Sequence, residues 1–179
     1  MDLEKSGVPG LDEILKGGLI KNSKILVKGS PGLGKTLFCL QFLCEGAKKG
    51  DNGIFITVED ELETIRYNAK VIGLDLEVYE KKKLIQLVKQ DVSLKKPISI
   101  AEPLRLVREG KVKRVVLDSL TLFHYIAEDE LAYRKGLIDL LSNMKNVLFL
   151  ATAEERKDGI DNSEFTPEEF LFDCVLKLV

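Results

Sequence analysis

Lys24 to Thr36 reads KILVKGSPGLGKT: an apolar run, a loop rich in glycine, and then the first residues of a helical pattern. Within it Gly29, Ser30, Pro31, Gly32, Leu33, Gly34, Lys35 and Thr36 match G-x-x-x-x-G-K-[ST], a pattern whose glycines let the backbone curl around phosphate oxygens. The setting matters as much as the pattern. Between a strand and a helix, successive N–H groups point inward at an anion and the helix N-terminus adds its positive dipole end. A nucleotide phosphate group is therefore the expected ligand of all eight residues. Lys35 is expected to bridge the β- and γ-phosphates, and Thr36 to offer its hydroxyl to Mg2+, whose shell is completed by phosphate oxygens and waters. A glycine-rich turn with an incidental lysine is the plain structural alternative.

Outward from this stretch, short apolar runs alternate with helical patterns, which predicts an α/β fold: a mostly parallel sheet with flanking helices. Leu11–Lys16 reads as a short helix stopped by Gly17-Gly18, and Lys24–Lys28 as a strand. Lys35–Lys49 is a predicted helix with an apolar stripe of Leu37, Leu40, Cys44 and Ala47, widened by Phe38 and Phe42. Gly53–Val58 (GIFITV) is a predicted strand, and Asp60 with Glu63 forms a D-x-x-E capping box expected to open a helix to Ile72. Further strands are predicted over Lys83–Lys89, Arg114–Asp118, Asn146–Ala153 and Asp173–Val179. Helices are predicted over Ile98–Glu109 and Asp129–Met144, and Thr166-Pro167-Glu168-Glu169 carries the signals of a short helix before the last strand. With no linker or internal repeat, residues 1–179 are expected to form one domain.

Composition removes several function classes. Hydrophobic residues make up 45% and charged residues 31% of the chain, which excludes disorder. Against 27 Lys plus Arg stand 29 Asp plus Glu, a net charge of -2 that gives no global positive field for nucleic acid. The longest apolar runs fall far below the ~18–20 residues that span a bilayer. MDLEKSGVPG lacks the basic start and apolar stretch of a secretory signal, so a cytoplasmic location is expected. Cys39, Cys44 and Cys174 are expected to be buried, reduced thiols.

Five further residues are candidates for chemistry. Asp118, at the end of an apolar strand, is the candidate metal-shell carboxylate, with Ser119 as a supporting hydrogen bonder; helix capping is the structural alternative for both. Glu59, at the end of GIFITV, stands on the sheet edge where open α/β sheets bind ligands, and is the candidate base that orients and deprotonates water. Asp60 is set aside because the capping box occupies it. Thr152 and Glu154, at the end of a later strand, are candidates for sensing the γ-phosphate. His124 and the Lys81-Lys82-Lys83 run read as packed or solvated side chains.

The phosphate loop, Glu59-Asp60 after its strand, and RVVLDS together resemble the RecA-like ATPases, and the likeness is closest to the KaiC-like family. SGVPGLDEILKGGL, FCLQFLCEGAKKGDNGIFITVED, LFLATAEE and EEFLFDCVLKLV extend that resemblance over nearly the whole chain. It implies a RecA-like core that binds ATP and Mg2+, with Glu59 as catalytic carboxylate and Asp118 as the acid of the second motif, assembled in homo-oligomeric rings with ATP between subunits. Two departures accompany it. Asp60 stands where the family has a second Glu, and the chain ends at Val179, before the basic segment by which the family reaches a neighbour's γ-phosphate. Such an activator in trans is worth roughly 10³–10⁵ in rate in nucleotide hydrolases, so slow hydrolysis is expected.

Two other functions remain open at this level. One is a nonenzymatic switch in which ATP orders a surface for a protein partner. The other is a RadA-like recombination ATPase, but the stretch from Glu154 to Phe165 sets Arg156 and Lys157 against Glu154, Glu155, Asp158, Asp161 and Glu164, which opposes contact with DNA phosphates.

Overall fold

A computed structural model describes residues 2–90, 101–155, 166 and 168–179. Its centre is a parallel six-stranded sheet built from β3 (Lys24–Gly29), β4 (Gly53–Thr57), β5 (Ile85–Lys89), β6 (Arg114–Asp118), β7 (Leu148–Glu154) and β8 (Cys174–Lys177). The spatial order is β5-β4-β6-β7-β3-β8, so β6 and β7 are inserted between β3 and β4. That switch brings the ends of four central strands to one edge: Thr57 lies beside Asp118, Val27 beside Thr152 and Gly29 beside Glu154. A two-stranded antiparallel pair, β1 (Leu3–Glu4) and β2 (Leu19–Ile20), flanks the short helix α1 (Leu11–Ile14).

Helices cover both faces of the sheet, which is why the strands read as continuous apolar runs. Alternate residues divide between two cores. Ile25, Val27, Phe55, Val116, Leu148 and Leu150 pack with α2 (Lys35–Lys48), α3 (Leu62–Val71) and α4 (Leu76–Lys81). Leu26, Ile54, Ile56, Val115, Leu117, Phe149 and Ala151 pack with α5 (Ala101–Arg108), α6 (Leu120–Ile126) and α7 (Glu130–Asn143). The stripe expected on α2 is buried through Phe38, Leu40, Phe42, Cys44 and Ala47.

Some expected boundaries differ. Helix α3 begins at Leu62 with Glu61 as N-cap, and its cap makes no side-chain hydrogen bond, so the Asp60/Glu63 capping box does not form. Its groups are engaged elsewhere: the Asp60 amide donates to Thr57 Oγ1 at 3.0 Å, Glu61 pairs with Lys89, and Glu63 lies 3.6 Å from Arg66. Lys83 sits in a turn at φ 59° and the strand starts at Ile85. Helices α4 and α6 were not expected. Residues 168–171 form a turn, with Glu169 N donating to Thr166 O, and not the helix that the Thr166–Glu169 pattern predicts. The start of the helix expected from Ile98, Pro167, and residues 156–165 of the expected polar loop lie outside the described residues.

Arg114, at the start of β6, is 2% exposed and ties the sheet to α2. Its Nη1 donates to Phe42 O at 2.8 Å, its guanidinium lies 4.8 Å from the Phe42 ring centroid, and Glu4 Oε2 is 3.7 Å from Nη2. Burial lowers its pKa from the usual arginine value, a tendency that Asp51, Glu4, Glu45 and Asp12 oppose. Gly46 makes the crossing possible, because a Cβ there would lie 2.6 Å from Arg114 Cδ and Nε. An exposed helical glycine gains about 1 kcal/mol on replacement by alanine. Gly46→Ala is expected to do the reverse and cost about 1–3 kcal/mol, as overpacking does, which urea unfolding would measure. An unchanged or raised midpoint would mean that Arg114 moves freely.

Candidate functional site

The phosphate-binding pattern forms the turn between β3 and α2. Gly32 at φ 84° and Gly34 at φ 87° lie in the left-handed region, which side chains with a Cβ rarely adopt, so both glycines are required by the curl of the loop. Gly34 is the N-cap of α2, no side chain caps that end, and no acidic residue stands in the first turn. The amides there are left for an outside acceptor, with the positive end of a 14-residue helix behind them. Pro31, Gly32 and Leu33 are exposed at the tip, and Ser30 closes the turn by accepting from Leu33 N at 3.4 Å. Lys35 folds back over the loop and its Nζ donates to Gly29 O at 2.8 Å and Ser30 O at 3.1 Å. These carbonyls hold the ammonium over the loop.

Thr36, one residue into the helix, donates from Oγ1 to Asp118 Oδ2 at 2.7 Å. The two positions are 82 residues apart in sequence, and the strand order alone brings them together. Thr152 donates to the other carboxylate oxygen, Asp118 Oδ1. Burial pushes the Asp118 carboxyl above the usual carboxylate range; hydrogen bonds from Thr152 and Thr36 oppose this, and the negative charges of Asp60 and Glu59 add to it. A hydroxyl and a half-buried carboxylate in contact are hard oxygen donors of the kind Mg2+ takes. Among the described residues no group of three His, Cys, Asp or Glu side chains could hold a metal. The donor set therefore fits a cation that keeps waters and phosphate oxygens in its shell, and does not fit a metal caged by protein alone.

Glu59 follows β4 on the same edge, exposed to solvent, and accepts a hydrogen bond from Ser119 Oγ on Oε1 at 2.7 Å. Ser119 is the N-cap residue of α6, yet its side chain caps nothing, because the hydroxyl is turned to Glu59. The Asp118–Ser119 peptide bond is cis. The structure thus brings Lys35, Thr36, Asp118 and Glu59 to one edge, as the sequence predicts.

The sequence profile of the family described as ATPase: KaiC matches residues 4–179. The chain belongs to this KaiC family of ATPases. A UPF0273 protein of Thermotoga maritima is 34% identical over 144 residues, 72% of this chain and 59% of that one. The circadian clock protein KaiC3 of a Synechocystis strain is 31% identical over 184 residues, 96% of this chain and 36% of that protein. The chain accordingly spans only 36% to 59% of the length of these curated relatives. The crystal structure of a KaiC-like protein of Pyrococcus horikoshii superposes with a TM-score of 0.79 at 31% identity, covering 98% of this chain and 81% of that one. The fold is RecA-like.

Other expectations for this family member's side chains divide. Thr152 and Glu154 do not form a free pair of sensors: the Thr152 hydroxyl is committed to Asp118, and Glu154 is exposed, its backbone amide donating to Thr121 Oγ1 at 2.9 Å. His124 is packed against Tyr133, ring centroids 4.6 Å apart, with Nε2 3.1 Å from Glu130 Oε2. Cys39 and Cys44 are buried free thiols, while Cys174 is only partly buried. Burial pushes the Cys39 thiol well up and the Cys44 thiol to about 11, so neither is a ready nucleophile at neutral pH. No helix among the described residues is long and apolar enough to cross a membrane.

One polar cluster beside the loop was missed. Lys28, the residue before Gly29, is 4% exposed and donates from Nζ to Glu169 Oε1 at 2.8 Å and Thr166 Oγ1 at 3.0 Å. The signal was a lysine placed inside the apolar run KILVKG, where a buried cation demands a partner.

Proposed function

We propose that this protein binds ATP together with Mg2+ at the Gly29–Thr36 loop and hydrolyses it slowly to ADP and phosphate. The observation that carries the reading is the 2.7 Å contact between Thr36 and Asp118, which joins the loop to the strand-end carboxylate beside an exposed Glu59. In this reading the amides of the loop and of the first turn of α2 hold the β-phosphate, and Lys35 exchanges its two carbonyls for β- and γ-phosphate oxygens. Thr36 and Asp118 would hold Mg2+, which when bound supplies charge neutralisation on the phosphates. Glu59 orients a water toward the terminal phosphorus and accepts its proton as the water oxygen bonds to that phosphorus and the bond to the bridging oxygen, which leaves with ADP, breaks. Among the described residues Lys35 is the cation hydrogen-bonded at the loop. A second cation supplied in trans is worth roughly 10³–10⁵ in rate in nucleotide hydrolases. With Lys35 alone at the loop among the described residues, slow turnover is expected.

The test is ATP binding with and without Mg2+, phosphate release over a range of protein concentrations, and sizing with and without nucleotide. Lys35→Ala is expected to weaken ATP binding by about 10- to 100-fold, the loss of charge-assisted bonds to phosphate. Wild-type affinity in that variant would overturn the site. Tight binding without phosphate release at any concentration would favour a nonenzymatic switch instead.

A further inference from the structure

Two hydroxyls share the Asp118 carboxylate, one on each oxygen: Thr36 on Oδ2 and Thr152 on Oδ1. Their surroundings differ. Thr36 is half-buried at the head of α2, on the loop that meets the phosphates, whereas Thr152 is 0% exposed inside β7, with Val27 of β3 beside it in register. A β-branched side chain enclosed in a central strand has little rotameric freedom. If its hydroxyl swung toward a nucleotide, it would leave an oxygen of the half-buried Asp118 carboxylate without its partner, which is costly. The hydroxyl is built to stay on Asp118.

We propose that Thr152 is a positioning residue of the nucleotide site: by holding Oδ1 it fixes the Asp118 carboxylate so that Oδ2 remains beside the Thr36 hydroxyl, ready for a divalent cation. The proposal rests on the reading of Asp118 as a metal-shell carboxylate. It departs from a role for Thr152 in sensing the γ-phosphate, and the two roles make different demands. A sensor acts on ATP and leaves ADP binding alone. A positioning residue acts on the metal-dependent part of binding, whichever nucleotide is present, and has little effect on binding without metal.

Equilibrium titrations of ATP and ADP, each with and without Mg2+, separate these cases in wild type, Thr152→Val, Thr152→Ser and Asp118→Asn. Thr152→Val keeps the shape and removes the hydroxyl. It is expected to leave metal-free affinity unchanged and to cut the gain from Mg2+ by roughly tenfold for both nucleotides, as the loss of a group that orients a metal ligand does. Thr152→Ser restores the gain. Should Thr152→Val not fold, Thr152→Ala carries the same comparison. A wild-type Mg2+ gain in the hydroxyl-free variants, or a loss confined to ATP, would overturn the proposal. If Asp118→Asn also keeps the full Mg2+ gain, the reading of Asp118 itself falls, and this inference with it.

Discussion

Glu59→Gln is expected to slow phosphate release by about 10²–10⁴-fold while leaving ATP affinity close to that of wild type. The substitution removes only the ability to take a proton. Glutamine is isosteric, and its amide oxygen can accept the same hydrogen bond that Ser119 Oγ donates to Glu59 Oε1 at 2.7 Å, so the side chain is held as before. The proposed binding groups lie elsewhere, on the loop and on Asp118, which explains why affinity should survive. Single-turnover phosphate release isolates the step from product dissociation, and equal rates for the two proteins would remove Glu59 from the mechanism. Asp60→Asn is the internal control. The Asp60 amide is pinned by Thr57 Oγ1 at 3.0 Å in the turn before α3, and with Ser119 holding Glu59 its loss is expected to cost far less. A larger effect at Asp60 than at Glu59 would reverse the assignment of the base.

What was legible in the sequence is what short-range geometry encodes. The loop is written in glycines because Gly32 and Gly34 need positive φ, and Asp118 is written as the polar end of an apolar run because β6 is buried on both faces. Glu59 follows by the same logic at the end of β4. What the sequence hid is where each hydroxyl and each buried charge is spent. Asp60 and Glu63 carry the letters of a capping box, but Thr57 takes the Asp60 amide and the helix starts two residues later, at Leu62. Thr166 opens a second apparent capping motif, yet its hydroxyl accepts from Lys28, 138 residues away. Ser119, for which helix capping is the structural alternative in the sequence, is the N-cap residue of α6, but its hydroxyl meets Glu59, 60 residues away. In the last two cases a local pattern loses to a contact that only the strand order creates, whereas at Asp60 the rival contact is itself local. The missed helix α4 is different: Asp75 Oδ1 accepts from Val78 N at 3.4 Å, so a start signal was present in the sequence.

Lys28→Met is expected to destabilise the protein by about 3–5 kcal/mol, which is the cost of leaving one member of a buried ion pair alone. The side chains of Lys28 and Glu169 are 5% and 8% exposed, so water cannot solvate the carboxylate that remains. Lys177 Nζ, 3.9 Å from Glu169 Oε1 and half exposed, offers partial compensation, which places the expected cost at the lower end of that range. Burying the pair costs desolvation of both charges, so the pair as a whole contributes little: the double variant Lys28→Met/Glu169→Leu is expected to recover most of the loss. Urea unfolding of the two single variants and the double variant closes the cycle, and a double variant as unstable as the sum of the singles would show that Lys28 and Glu169 act independently. The consequence reaches the proposed nucleotide site. Lys28 precedes Gly29 in β3, while Thr166 and Glu169 belong to the segment that leads into β8, the strand paired with β3 on its outer side. The cation thus clamps that segment to the root of the phosphate loop. In the single variant the loop loses this anchor, and ATP binding should weaken along with stability; in the double variant, with the interior apolar and packed, binding should return.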